Sequence, residues 1–233
     1  MTVKQTNLIR SDIRILVPVL IWGLFSKVGF RLFLTNHDLS YLLLLALSFS
    51  GILSQVTAKN KQPVILIGWD SVFLILGIKL FFSSSAFNGW LLLLDFILAN
   101  LLSLTRLINE PHCQWIIYGV ISGSGMTFLF NITAHHYFSL ISLMSITLLI
   151  FANIFFSFSI FIKVGNRLSL VVIMGLILAI CATLMLGALK ILIIILILGF
   201  YLFFEWRVNV NKYDTRSDTS LICLLIFSLV ACL

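Results

Sequence analysis

LSLVVIMGLILAICATLMLGALKILIIILILGFYLFF, residues 168–204, runs for 37 residues with Lys190 as its only charge. About 20 helical residues cross ~30 Å of hydrocarbon, so the run is too long for one membrane span. Gly187 and Lys190 mark a hairpin that divides it into two spans, 168–186 and 189–204.

Comparable runs recur on the N-terminal side, at 13–34, 39–57, 63–82, 86–104, 114–133 and 137–162. A last run, 219–233, has only 15 residues and reads as a short ninth span or a re-entrant end. The composition agrees. It is 61% hydrophobic and 10% charged with only three prolines, and the mean hydropathy is +1.16. These values lie far outside the soluble range. Strict alternation of apolar and polar residues is absent, which argues against a β-barrel. Backbone polar groups in lipid must be satisfied within each helix, so the expectation is an all-α polytopic transmembrane bundle forming one membrane domain over 1–233.

Orientation follows from Lys and Arg. With connections assigned alternately to the two sides, one side collects Lys4, Arg10, Arg14, Lys59, Lys61, Arg106, Lys163, Arg167, Arg207, Lys212 and Arg216. The other collects Lys27, Arg31, Lys79 and Lys190. Eleven against four predicts a cytoplasmic N-terminus and eight full spans, with the short ninth heading outward. The first run lacks a small-x-small cleavage site and reads as a retained span. The net charge of +7 is scattered between apolar runs, which does not suit nucleic-acid binding. Cys113, Cys181, Cys223 and Cys232 show no metal-ligand spacing, so neither a metal site nor a cofactor is expected.

Candidate chemistry falls in three places. Asp70 and Asp95 lie inside the third and fourth runs, with Asn100 five residues beyond Asp95. They form a proton or cation path, ordinary polar contacts between helices, or an acid/base pair. Lys27, Arg31, Lys79 and Lys190 make up the outward minority. They either snorkel to headgroups or bind a pyrophosphate, with Lys27 and Arg31 spaced i,i+4 on one helix face. SGSGMTFLFNITAHHY, residues 122–137, joins a small-residue stretch suited to helix packing to His135 and His136 on the same outward side. Either His is a candidate general base, or both are simply polar loop residues.

DIRILVPVLIW at 12–22, FFSSSAFNGW at 81–90 and FNITAHHYF at 130–138, each beside a Leu/Ile/Phe-rich span, resemble the N-terminal part of bacterial O-antigen and exopolysaccharide repeat-unit polymerases. The resemblance covers about residues 10–205. It implies glycosyl transfer from a polyprenyl-pyrophosphate-linked oligosaccharide at the outer face of the cell membrane. Arg31, Lys27 and Lys79 would hold the pyrophosphate, and His135 or His136 would assist the acceptor sugar. Members of that family have ten or more spans and a sizeable outer loop, so the resemblance also implies a shortened chain. Two other classes fit the residues: a transport subunit using Asp70, Asp95 and Asn100, or a membrane sensor or immunity module with an unidentified membrane partner.

Overall fold

The computed structural model describes residues 3–58, 62–83, 86–104, 108–162, 168–207 and 213–233. These form eleven helices in chain order: α1 (Val3–Phe25), α2 (Phe30–Thr35), α3 (His37–Val56), α4 (Pro63–Ser83), α5 (Ala86–Ser103), α6 (Pro111–Gly123), α7 (Gly125–His135), α8 (Leu140–Phe161), α9 (Leu168–Thr183), α10 (Ala188–Arg207) and α11 (Tyr213–Cys232). Six stretches are long and apolar enough to cross a membrane: α3, α4, α6 with α7, α8, α10 and α11. α5 and α9 contribute shorter apolar segments. The chain is thus an all-helical bundle suited to the bilayer, with no strand among the described residues.

Local sequence explains where the helices begin. Asn36 caps α3, its side chain accepting from the backbone N–H of Asp38 at 2.9 Å, and Asp38 adds a negative charge to the positive end of the helix. Ser139 caps α8 by accepting from Ser142 N at 3.0 Å. Pro111 stands at the start of α6, where its missing N–H removes no helical bond. The 37-residue run forms two helices, with residues 184–187 between α9 and α10, where Met185 takes a left-handed φ of 51° and Lys190 already belongs to the first turn of α10.

Two expectations are corrected. The run at 13–34 is not one helix: α1 stops at Phe25, Lys27 adopts φ 55°, and α2 starts afresh at Phe30. Lys27 and Arg31 therefore do not share a helix face. The last run is longer than 219–233, because α11 begins at Tyr213 and has 20 residues. Its polar first turns are held by ion pairs: Asp218 meets Arg10 at 2.9 Å and Arg14 at 2.8 Å. Buried Arg216 pairs with buried Glu205 of α10.

The core centres on α8 and α3. α8 packs against α6, α9 and α11, while α3 gathers α1, α2, α4, α5 and α7. Close approach of α6 to α8 depends on glycine. A β-carbon on Gly119 would lie 2.2 Å from Ile154 Cγ1, and one on Gly123 would lie 2.7 Å from the Cα of Ile150. Trp22, Phe49, Phe130, Phe155, Phe156, Tyr201 and Phe227 fill the space between the helices. By contrast, α4 and α10 expose Ile75 and Leu196, the surface expected toward lipid.

Contacts sort the helix ends into two groups. At one end, Tyr213 donates from its hydroxyl to Thr57 O at 2.7 Å, beside the Arg10–Arg14–Asp218 cluster. At the other, Tyr41 donates to Leu76 O at 2.5 Å and Asn131 Nδ2 to Ser26 O at 3.4 Å.

Candidate functional site

The segment 111–135 is a single apolar stretch interrupted at Ser124, where φ is −99° and ψ is −60°. The carbonyl of Ser122 at this break accepts a hydrogen bond from the indole N–H of Trp22 at 2.6 Å. The hydroxyl of Ser124 turns back onto Val120 O at 2.8 Å. The interruption is a kink, since Ser124 N still donates to Val120 O and Phe128 N to Ser124 O, both at 2.9 Å. A carbonyl turned out by such a kink inside lipid must be satisfied by protein or a polar cavity. Here α1 supplies that support from one side.

From the other side comes Asp95, at the middle of α5. It is 3% exposed, and its Oδ2 lies 1.7 Å from where a β-carbon on Gly125 would stand. Glycine at 125 is thus what admits the carboxyl to the break. Oδ2 has no hydrogen-bond partner. Neither have Asn100 Oδ1, Thr127 Oγ1 and Asn131 Oδ1, all buried on α5 or α7. Asp95 Oδ2 and the two amide oxygens can only accept, whereas the Thr127 hydroxyl can donate as well, so three of the four orphaned atoms around α5 and α7 lack a donor. A carboxylate in such surroundings requires a proton or a cation.

The two membrane-embedded acids separate. Asp70 is half-buried and accepts from Asn100 Nδ2 at 3.1 Å, a settled polar contact between α4 and α5. Asp95 turns instead to α7. The sequence left Asp70, Asp95 and Asn100 open between a shared path, ordinary polar contacts and an acid/base pair, and the geometry gives Asp70 and Asp95 different partners.

Among the four cations of the minority side, Lys79 holds its ammonium 4.7 Å above the ring of Tyr41, a cation–π contact. Lys27 and Arg31 are exposed, and Lys190 is half-buried in the first turn of α10. Lys27 and Lys190 both act electrostatically on the Cys232 thiol, so the ends of α1, α10 and α11 lie near one another. The edge-to-face contact of Phe33 with Phe130, centroids 5.1 Å apart, sets α2 against α7. Arg31 and His135 therefore belong to the same end of the bundle. His135 is half-buried and lies 6.1 Å, ring to ring, from Tyr137; exposed His136 ends α7 with φ 57°. Among the described residues, no three His, Cys, Asp or Glu are grouped to hold a metal ion.

Sequence reasoning missed the ionic cluster at the opposite end and the buried Glu205–Arg216 pair. Both use charges that read as flanking loop. The signal was present in the spacing of Asp214, Arg216 and Asp218 on one incipient helix, but Arg10 and Arg14, the partners of the two acids, lie some 200 positions away.

The chain matches no protein-family model, no curated protein and no solved structure.

Proposed function

We propose that this is a multi-pass protein of the cell membrane, with its N-terminus cytoplasmic, eight full spans and α11 as the ninth. In this reading it passes a proton or small monovalent cation through the bundle, with Asp95 as the binding carboxyl. The eleven-to-four division of Lys and Arg supports the orientation. The observation that carries the function is the unpaired Asp95 Oδ2 buried against the α6–α7 break. Ionisable groups buried within membrane bundles mark ion and proton paths. The purified protein in sealed vesicles is expected to collapse an imposed proton or sodium gradient, monitored with a trapped pH- or sodium-sensitive dye. Asp95→Asn should lose most of the flux and Asp70→Asn should retain it. Flux equal to that of empty vesicles contradicts the assignment.

A second reading, glycosyl transfer from a polyprenyl-pyrophosphate-linked donor, is favoured by one observation. Lys27, Lys190, Arg31 and His135 belong to helix ends gathered at one end of the bundle. Arg31→Ala and His135→Ala in a polymer-producing strain should then shorten the surface polysaccharide. Unchanged chain length in both removes the basis for this reading.

A further inference from the structure

A second polar feature lies in the half of the bundle nearest Arg14, apart from Asp95. A chamber of about 40 Å³ is enclosed by α1, α3, α6, α8 and α11. Its wall includes Arg14, Pro18, Ser50, Ser54, Asn153 and Ser220. The serines do not neutralise one another. Ser50 donates to Ile15 O at 2.7 Å, Ser54 to Gly51 O at 2.6 Å, and Ser220 to Phe156 O. Each hydroxyl hydrogen is spent on a backbone carbonyl, leaving oxygen lone pairs for the chamber.

Two further groups there have unmet needs. Arg14 Nε is buried and finds no acceptor in the protein. Pro18 inside α1 has no N–H to give the carbonyl four residues earlier, which is that of Arg14. Arg14 Nε thus offers a donor without an acceptor, the serine oxygens offer lone pairs, and the Tyr118 hydroxyl and Asn153 amide in the same wall can bond to a guest as well. A molecule able both to donate and to accept satisfies the two together. A cavity of roughly 10–15 Å³ or more admits a water, so 40 Å³ has room for at least one.

Exposure gives the direction of access. Side-chain exposure falls from Asp214 at 53% through Arg10 at 39% and Asp218 at 29% to Arg14 at 15%. Polar groups therefore run from the bundle surface inward to the chamber wall.

We propose that this chamber is a water-binding site forming a hydrated inlet from the Arg10–Asp214 surface to Asn153 in the bundle interior. It serves protons or small ions entering from the basic side, and it stands independently of the role assigned to Asp95.

The test uses single cysteines in full-length protein whose four native cysteines are replaced by Ala, reconstituted in sealed vesicles. The probe is silver ion, which is water-sized and attacks a thiolate that forms only in contact with water. Added from the Arg14 side, it should block Ser157→Cys, in the chamber wall, at least ~10-fold faster than Ile195→Cys on the exposed apolar face of α10. A plugging Ser54→Leu in the same chain should remove that advantage, and Asp95→Asn should leave it intact. Ser50→Cys serves as the second reporter if Ser157→Cys does not yield monodisperse protein. Equal rates at the chamber and control positions overturn the proposal. So does reaction only from the opposite side, or reactivity that survives the plug.

Discussion

Asp95 Oδ2 occupies the space that a side chain at residue 125 would need: a β-carbon on Gly125 would stand 1.7 Å from it. One glycine and one acid thereby define the break between α6 and α7. Gly125→Ala should force the carboxyl away from the break and destabilise the protein by about 1–3 kcal/mol, the usual range for overpacking. Gly68→Ala, where nothing lies within 4 Å of the added carbon, is the control. Denaturant unfolding in detergent, followed by tryptophan fluorescence, measures both.

The α6–α8 seam should respond unequally to the same change. At Gly119 the nearest obstacle is the Ile154 side chain, but at Gly123 it is the Ile150 backbone, at 2.7 Å to Cα and 2.8 Å to N. A side chain can rotate away and a helix backbone cannot. Gly123→Ala is therefore expected to cost more than Gly119→Ala, within about 1–3 kcal/mol each, by the same unfolding measurement.

The Glu205–Arg216 pair joins α10 to α11 in a buried setting. Arg216→Met leaves the carboxylate without its cation, and the expected loss is about 3–5 kcal/mol. Adding Glu205→Leu removes the stranded charge and should recover most of that stability. A double variant as unstable as the single one would show that the Glu205–Arg216 interaction itself, and not an uncompensated charge, accounts for the loss.

Much of the architecture was legible because the bilayer imposes a length on every apolar run. The division of the 168–204 run was readable from its length and Gly187, and the packing role of Gly123 from the small residues at 122–125. The break after Phe25 was not, since residues 13–34 carry only Arg14, Lys27 and Arg31 as charges in an otherwise largely apolar run, and the left-handed backbone at Lys27 that follows the helix is not visible in the sequence. The start of α11 was hidden for a different reason. Residues 213–218 are too polar to resemble a span until Arg10 and Arg14, some 200 positions earlier, neutralise Asp218.

The candidate site was half legible. Asp95 stood out as an acid in an apolar run, and 122–137 as a small-residue stretch. Nothing in either segment revealed that they meet, because contact between α5 and α7 is a tertiary event. Asp70 looked equivalent in sequence, yet Asn100 satisfies it.

The most direct measurement is labelling of membrane-embedded protein with a hydrophobic carbodiimide, which enters lipid and reacts with protonated carboxyls, followed by peptide mass spectrometry. The account predicts an adduct on Asp95 in preference to the exposed Asp38, falling as pH rises and absent in Asp95→Asn. An Asp95 that stays unlabelled in folded protein but reacts once unfolded, or that labels no more than Asp38, would contradict it.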